Sequence, residues 1–196
     1  MQLITGGMGF IGLHTAKAFL DAGEDVVLTR FRSWRMPGFL EEHLDKRLFV
    51  EPLDLTSPHD VIEVARKHKP DAILHLAVPA LKHLSAAEEF RTNMDGLINI
   101  LEAARLAGAK RVTLASSLAV YGGLPGGPFT EEMPLELAPT NPTDAYKKSF
   151  EILGQHYAER CGLDVAIARI GGIYGPLYHS MASLACRLAH AAVQGV

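Results

Sequence analysis

Gly6, Gly9 and Gly12 stand three residues apart in the run Thr5-Gly6-Gly7-Met8-Gly9-Phe10-Ile11-Gly12. Where such a run joins a strand to a helix, the first glycine makes a tight turn and the second lets the backbone approach a pyrophosphate. The third lets helix and strand pack closely. Backbone amides opening the helix at Phe10 and Ile11, together with the helix dipole, then favour a diphosphate's negative charge. The spacing alone also fits a glycine turn without a ligand, so the surrounding elements must decide. About 20 residues beyond the glycines, NAD sites carry an acid that accepts hydrogen bonds from the adenosine ribose. This chain has Arg30 there, with Arg32 and Arg35 close behind. A guanidinium cannot accept those bonds but pairs well with a 2′-phosphate. The expected coenzyme is therefore NADP, with NAD as the alternative and a merely solvated arginine loop as the plainer reading.

The elements around the glycines have the required order. Leu3-Ile4-Thr5 is an apolar run that ends in the turn, and Phe10, Ile11, Thr15, Ala18, Phe19 and Leu20 follow at helical spacing. Gly23 stops that helix. Val26-Val27-Leu28 forms a second strand whose β-branched start suits a sheet covered on both faces. The pattern repeats with Leu48-Phe49-Val50 as strand, 58–69 as helix and Ala72-Ile73-Leu74-His75-Leu76 as the fourth strand. A helix over 93–107, closed by Gly108, returns to a fifth strand, Arg111-Val112-Thr113-Leu114-Ala115. Glycines and prolines forbid a regular element over 122–142. A loop of that length inside a compact domain is usually functional or mobile, which places it at the mouth of the site. A helix over 144–160, the strand Val165-Ala166-Ile167-Ala168-Arg169 and a helix over 180–193 complete the chain. Alternating strands and helices predict an α/β fold, a doubly wound Rossmann-type parallel sheet.

Composition narrows the partners. With 196 residues, 48% of them hydrophobic, the chain can close one substantial core. A net charge of -3 provides no field for a phosphate backbone, so nucleic acid is not expected. No window approaches the roughly 18 uninterrupted apolar residues that span a bilayer, and the opening residues do not form a leader. Neither a membrane nor a secretory route is expected, and the cytoplasm is the predicted location. Cys161 and Cys186 are too few and too far apart for a disulfide framework or a metal cluster.

The three-then-three glycine spacing resembles the extended short-chain dehydrogenase/reductase family, the nucleotide-sugar epimerases, dehydratases and reductases. Other segments agree. Asp54-Leu55 resembles the family's adenine-contacting Asp, and His75-Leu76-Ala77 its fourth-strand signature beside the cofactor. Asn93 stands at the head of the next helix, where the family has an Asn. Ser116-Ser117-Leu118-Ala119-Val120-Tyr121-Gly122 and Arg169-Ile170-Gly171-Gly172-Ile173-Tyr174-Gly175-Pro176 follow strands five and six. The resemblance covers nearly the whole chain and implies an NAD(P)-dependent epimerase or reductase acting on a nucleotide sugar or another small hydroxyl or carbonyl substrate.

The catalytic pattern that the resemblance implies is incomplete. In the family a Tyr precedes a Lys by four residues on one helix, and a Ser or Thr steadies the substrate oxygen during hydride transfer. Ser117, four before Tyr121, matches the Ser/Thr position. Two registers compete for the pair. In one, Tyr146 is the acid but Phe150 stands where Lys belongs; in the other, Glu151 matches the family's helix glutamate, Lys147 becomes the lysine and Thr143 replaces the Tyr. The second preserves the run to Gly162 and Arg169 without a gap and is preferred. Lys147 then binds the nicotinamide ribose, and Tyr146 is either a neighbouring substitute acid or a packing residue. Leu118-Ala119 replaces the acidic pair of dehydratases, which disfavours dehydration, and Gly172 stands where many members have Asn.

The family's C-terminal substrate domain is largely absent by this reading, with 1–178 as the coenzyme domain and 179–196 as the start of a truncated substrate region. The helices over 93–107 and 144–160 correspond to the pair that members pack into a homodimer. Against the enzyme stands a second reading, a cofactor-holding sensor or scaffold without turnover.

Overall fold

Successive residues of the strands feed apolar clusters on opposite sides of one sheet. Leu3 and Val27 pack with Ile73, Val112 and Leu114 into one cluster, while Ile4, Val26 and Leu28 pack with Leu13, Ala16 and Leu20 into another. Two buried faces on consecutive residues require a sheet covered on both sides, which parallel strands with helical crossovers provide. In the computed structural model, which describes residues 1–79, 84–178, 180, 181 and 183–195, the strands are β1 (Gln2–Thr5), β2 (Val26–Arg30), β3 (Leu48–Pro52), β4 (Ala72–His75), β5 (Arg111–Ser117) and β6 (Val165–Ile170). All pair in parallel, in the order β3-β2-β1-β4-β5-β6. The order reverses between β1 and β4, and a ligand crevice opens at the carboxyl ends of strands that part in this way.

The helices are α1 (Phe10–Asp21), α2 (Gly38–Glu41), α3 (Pro58–His68), α4 (Ala86–Ala107), α5 (Pro142–Cys161) and α6 (Leu184–Gln194). Side chains of α3, α4 and α5 fill the first cluster, and those of α1 and α2 the second. Register brings the site elements to one edge: Thr5 pairs with His75, Arg30 with Pro52, and Ser117 with Ile170.

Several boundaries differ from expectation, each for a local reason. The helix expected to start at Asn93 begins at Ala86, because Ser85 and Glu88 form a reciprocal capping box. Asn93 is thus not a helix head but a residue of the helix interior, 3% exposed, with its Nδ2 donating to Glu89 O. β4 stops at His75, which leaves Leu76 and Ala77 just past the strand end. α5 starts at Pro142, where Asn141 caps it by accepting from the Asp144 amide at 3.0 Å. The short α2 was not expected, and the last helix begins at Leu184; residues 179, 182 and 196 of the expected terminal region lie outside the described residues.

The glycine turn is held by crowding as well as by hydrogen bonds. Gly6 has a φ of +66°, and a Cβ on it would lie 2.9 Å from the Cα and N of Ala77. A Cβ on Gly12 would lie 2.8 Å from Gly6 O, Gly7 Cα and Gly7 O, all backbone atoms that cannot yield cheaply. Gly12→Ala is expected to lower the unfolding free energy in a urea titration by about 1–3 kcal/mol, the usual cost of overpacking a tight site. Gly38→Ala, where nothing lies within 4 Å, is expected to leave it nearly unchanged.

Candidate coenzyme site and catalytic edge

α1 begins at Gly9 without a side-chain cap and without an acidic residue in its first turn. The Gly9 amide donates to Gly6 O at 2.9 Å and the Leu13 amide to Gly9 O at 3.0 Å. The amides of Phe10, Ile11 and Gly12 therefore make up the helix's positive end, at the carboxyl edge of β1, where an anion gains both hydrogen bonds and the dipole. Because Gly6 carries no side chain, the turn lies directly against Ala77, whose amide donates to Thr5 Oγ1 at 3.3 Å. These residues fit a dinucleotide's diphosphate.

Two further expected coenzyme residues lie along the same edge. Arg30 ends β2, with its carbonyl accepting from the Leu53 amide at 2.8 Å and its guanidinium 5.7 Å from the Trp34 ring. Asp54 follows β3, and its Oδ1 accepts from the Thr56 amide at 2.9 Å and hydroxyl at 2.7 Å. Leu55 packs against the first core cluster and Leu76 against the second, so both set backbone position through packing. Asn93 lies deeper, with its Oδ1 buried and unpartnered.

At the other end of the edge, Ser117 is the last residue of β5. Its Oγ accepts from the Ala119 amide at 3.1 Å, which caps a single 3-10 turn over Leu118–Tyr121. Lys147 reaches the same strand from α5, donating from Nζ to Ala115 O at 2.6 Å. It is 6% exposed, makes no ion pair among the described residues, and lies 4.7 Å above the Phe150 ring. Burial without an anion lowers its pKa to about 8. Phe150 stacks in turn on His75, centroids 5.7 Å apart, and His75 Nδ1 meets Thr5 Oγ1 at 2.9 Å. Thr5 Oγ1, which accepts from the Ala77 amide, thus shares a second hydrogen bond with the imidazole. Burial first, and the charge of Lys147 second, hold His75 down to about 3, so it stays neutral.

Lys147 thus meets β5, and Glu151, one turn on, meets Ser116 and Arg169. Arg169 donates to Glu151 Oε2 at 2.8 Å, to Tyr121 Oη at 2.7 Å and to Glu131 O at 3.0 Å. Tyr121 Oη donates to Thr130 O at 2.9 Å. Together with the Thr140 amide donating to Asp144 Oδ2 at 2.8 Å, these bonds fasten the segment between the 3-10 turn and α5 at both ends. Thr143 is exposed in the first turn of α5. Tyr146 packs against the first core cluster; burial first, and the negative charge of Glu89 on α4 second, raise the phenol's pKa, the wrong direction for proton exchange near neutrality.

Sequence reasoning passed over the Thr5–His75 contact and the buried Asp144–Lys148 ion pair, 2.8 Å between Nζ and Oδ1. The first was signalled by polar residues ending two apolar strands, the second by opposite charges one helical turn apart. Among the described residues no group of His, Cys, Asp and Glu could hold a metal, no helix is long and apolar enough to cross a membrane, and both cysteines are free.

Comparison with known proteins places this geometry. The UDP-N-acetyl-alpha-D-glucosaminuronate decarboxylase of Bacillus cytotoxicus is 34% identical over 98% of this chain and 61% of its own length. UDP-glucuronic acid decarboxylase 1 of Xenopus tropicalis is 33% identical over 90% of this chain and 42% of its own length. The crystal structure of Thermus thermophilus UDP-glucose 4-epimerase in complex with NAD is 29% identical with a TM-score of 0.84, covering all of this chain and 64% of that one. The chain thus spans roughly two fifths to two thirds of the length of these relatives. With the family model matching residues 2–195, this chain of Rossmann-type sheet and glycine turn belongs to the NAD dependent epimerase/dehydratase family.

Proposed function

We propose that this chain is the coenzyme-binding part of an NADP-linked enzyme that moves hydride at a carbinol carbon of a nucleotide sugar, as an epimerase or reductase. One observation carries the reading: the uncapped amides of Phe10–Gly12 share a sheet edge with Ser117 and Lys147. Those amides would hold the diphosphate, Arg30 would meet the 2′-phosphate, and Asp54 and Leu55 would border the adenine. Leu76 and Ala77 line the turn, with Asn93 behind it. When bound, the nicotinamide supplies the hydride acceptor and donor. Ser117 Oγ holds the substrate hydroxyl, and Lys147 Nζ, swung from Ala115 O, holds the nicotinamide ribose. Thr143 cannot serve as the acid, since an aliphatic hydroxyl is far weaker than a phenol. Lys147 is the titratable group of that edge with a value near neutrality. Residues 1–178 form the coenzyme domain and 179–196 lead toward the substrate side. Free thiols suit a reducing cytoplasm.

Thr143 also favours a second reading, a coenzyme-holding sensor or scaffold that does not turn over. Transfer of reducing equivalents to a panel of nucleotide sugars, followed at the nicotinamide absorbance, separates the two. The first expects slow turnover that falls about 10²-fold or more in Ser117→Ala and rises in Thr143→Tyr; the second expects none in any variant.

Lys147 gives a pH signature. It titrates at 10.5 in the unfolded chain and about 8 in the fold. The unfolded state holds more protons between those values, so stability rises with pH across that window, while below it the full burial penalty stands. Lys147→Met is expected to flatten this rise and to stabilise the coenzyme-free protein at pH 7, by up to on the order of 3 kcal/mol. Calorimetry with NADP is expected to show weaker binding by the same variant.

The exposed faces of α4 and α5 suit a second copy of the chain. Phe90 and Ile98 on α4 and Ile152 on α5 are 59%, 48% and 59% exposed. Light scattering after gel filtration is expected to report a dimer, and Ile98→Glu with Ile152→Glu a monomer.

A further inference from the structure

β2 is followed by a short loop of unusual make-up, Phe31-Arg32-Ser33-Trp34-Arg35-Met36. It is anchored at its far end. Arg35 Nη2 donates to Leu177 O at 2.9 Å, and Met36 packs into the second core cluster ahead of α2. Its near end is fixed by Arg30, whose carbonyl closes onto the Leu53 amide. Between these anchors Trp34 remains 57% exposed, with the Arg30 guanidinium 5.7 Å from its ring among the described residues. Arg32 lies over the neighbouring Phe31 at 4.8 Å, Arg35 donates to Leu177, and Arg30 lies over the indole.

A large aromatic surface left in water by an anchored loop gains from any flat apolar partner that covers it. The position decides which partner. Arg30 pairs in register with Pro52, so the loop leaves the sheet beside the segment that carries Asp54, at the carboxyl edge where β2 and β3 end. A dinucleotide whose diphosphate lies on α1 extends its adenosine half toward those two strands. We infer that Trp34 is the platform on which the coenzyme's adenine ring stacks, with Arg30 alongside to receive the 2′-phosphate. The inference rests on the coenzyme reading above and adds to it a purine-specific contact. Stacking on the indole serves NAD and NADP equally, because both carry adenine. Discrimination comes from Arg30, which gains a dianionic partner in NADP only. Trp34 therefore sets affinity for the adenosine half, and Arg30 sets preference between the coenzymes.

Trp34 is the single tryptophan of the chain, so its emission reports the contact without labelling. The intact protein is titrated with NADP, NAD, 2′,5′-ADP and nicotinamide mononucleotide, with calorimetry in parallel. The first three are expected to quench Trp34 emission saturably, and the mononucleotide, which lacks adenine, to leave it unchanged. Trp34→Ala is expected to weaken NADP and NAD alike, roughly ten-fold from the loss of one base-aromatic stack. Trp34→Phe is expected to retain most of the affinity. Arg30→Ala is expected to weaken NADP far more than NAD. Calorimetric binding of NADP with silent emission, or with affinity unmoved in Trp34→Ala, overturns the platform and leaves the coenzyme reading standing. Absence of calorimetric binding for both coenzymes overturns the two together.

Discussion

Backbone running against backbone, Gly6 against Ala77, is the contact on which the remaining geometry depends. A side chain at Gly6 would meet main-chain atoms at 2.9 Å, and its φ of +66° lies where L residues rarely settle. The ends of β1 and β4 can therefore come together only with glycine there. Their meeting brings Thr5 to His75 and lets one hydroxyl bridge a ring nitrogen and the Ala77 amide. From that junction the two halves of the sheet part, and the crevice between them collects the helix end, the loop after β2 and the β5 terminus. Folding the sheet and making the site are one event.

The catalytic end is governed by a different term, the cost of an unpaired cation. Lys147 is buried with a carbonyl and an aromatic face for company, and the adjacent imidazole stays neutral partly because that cation is there. Glu151 does not offset the charge, since it is committed to Arg169 and Ser116. Asp144 is likewise committed to Lys148 and Thr140. The acids of α5 thus fasten the preceding segment and β6, which leaves the lysine as a charge awaiting a polar ligand. Such an arrangement costs stability in the free protein and is relieved when a ribose or an anion arrives.

Much of this was legible in the sequence because it rests on local rules. Glycines between an apolar run and a helical pattern located the turn, and alternation of strand and helix gave the doubly wound parallel sheet. What was missed is non-local or needed a finer reading of caps. Ser85 and Glu88 moved the start of α4 ahead of Asn93, which converted an expected helix head into an interior residue. The segment before α5 read as a functional or mobile loop from its length, prolines and glycines. Its fastening comes from Tyr121 and Arg169, 48 residues apart, and no window of sequence reveals that pair. Spacing alone left two registers for the lysine. What spacing could not show is that Phe150 lies between His75 and Lys147, a contact made across β4 and α5.

The two ends of the site are also constrained to different degrees by the fold itself. Gly6 and Gly12 cannot change without moving backbone, so the diphosphate cradle persists for as long as the sheet does. Thr143 sits exposed in the first turn of α5, where no core contact demands a tyrosine. A side chain there can change at little cost in stability. On the proposed function, a coenzyme cradle that the fold enforces then stands beside a proton-transfer position that the fold leaves free.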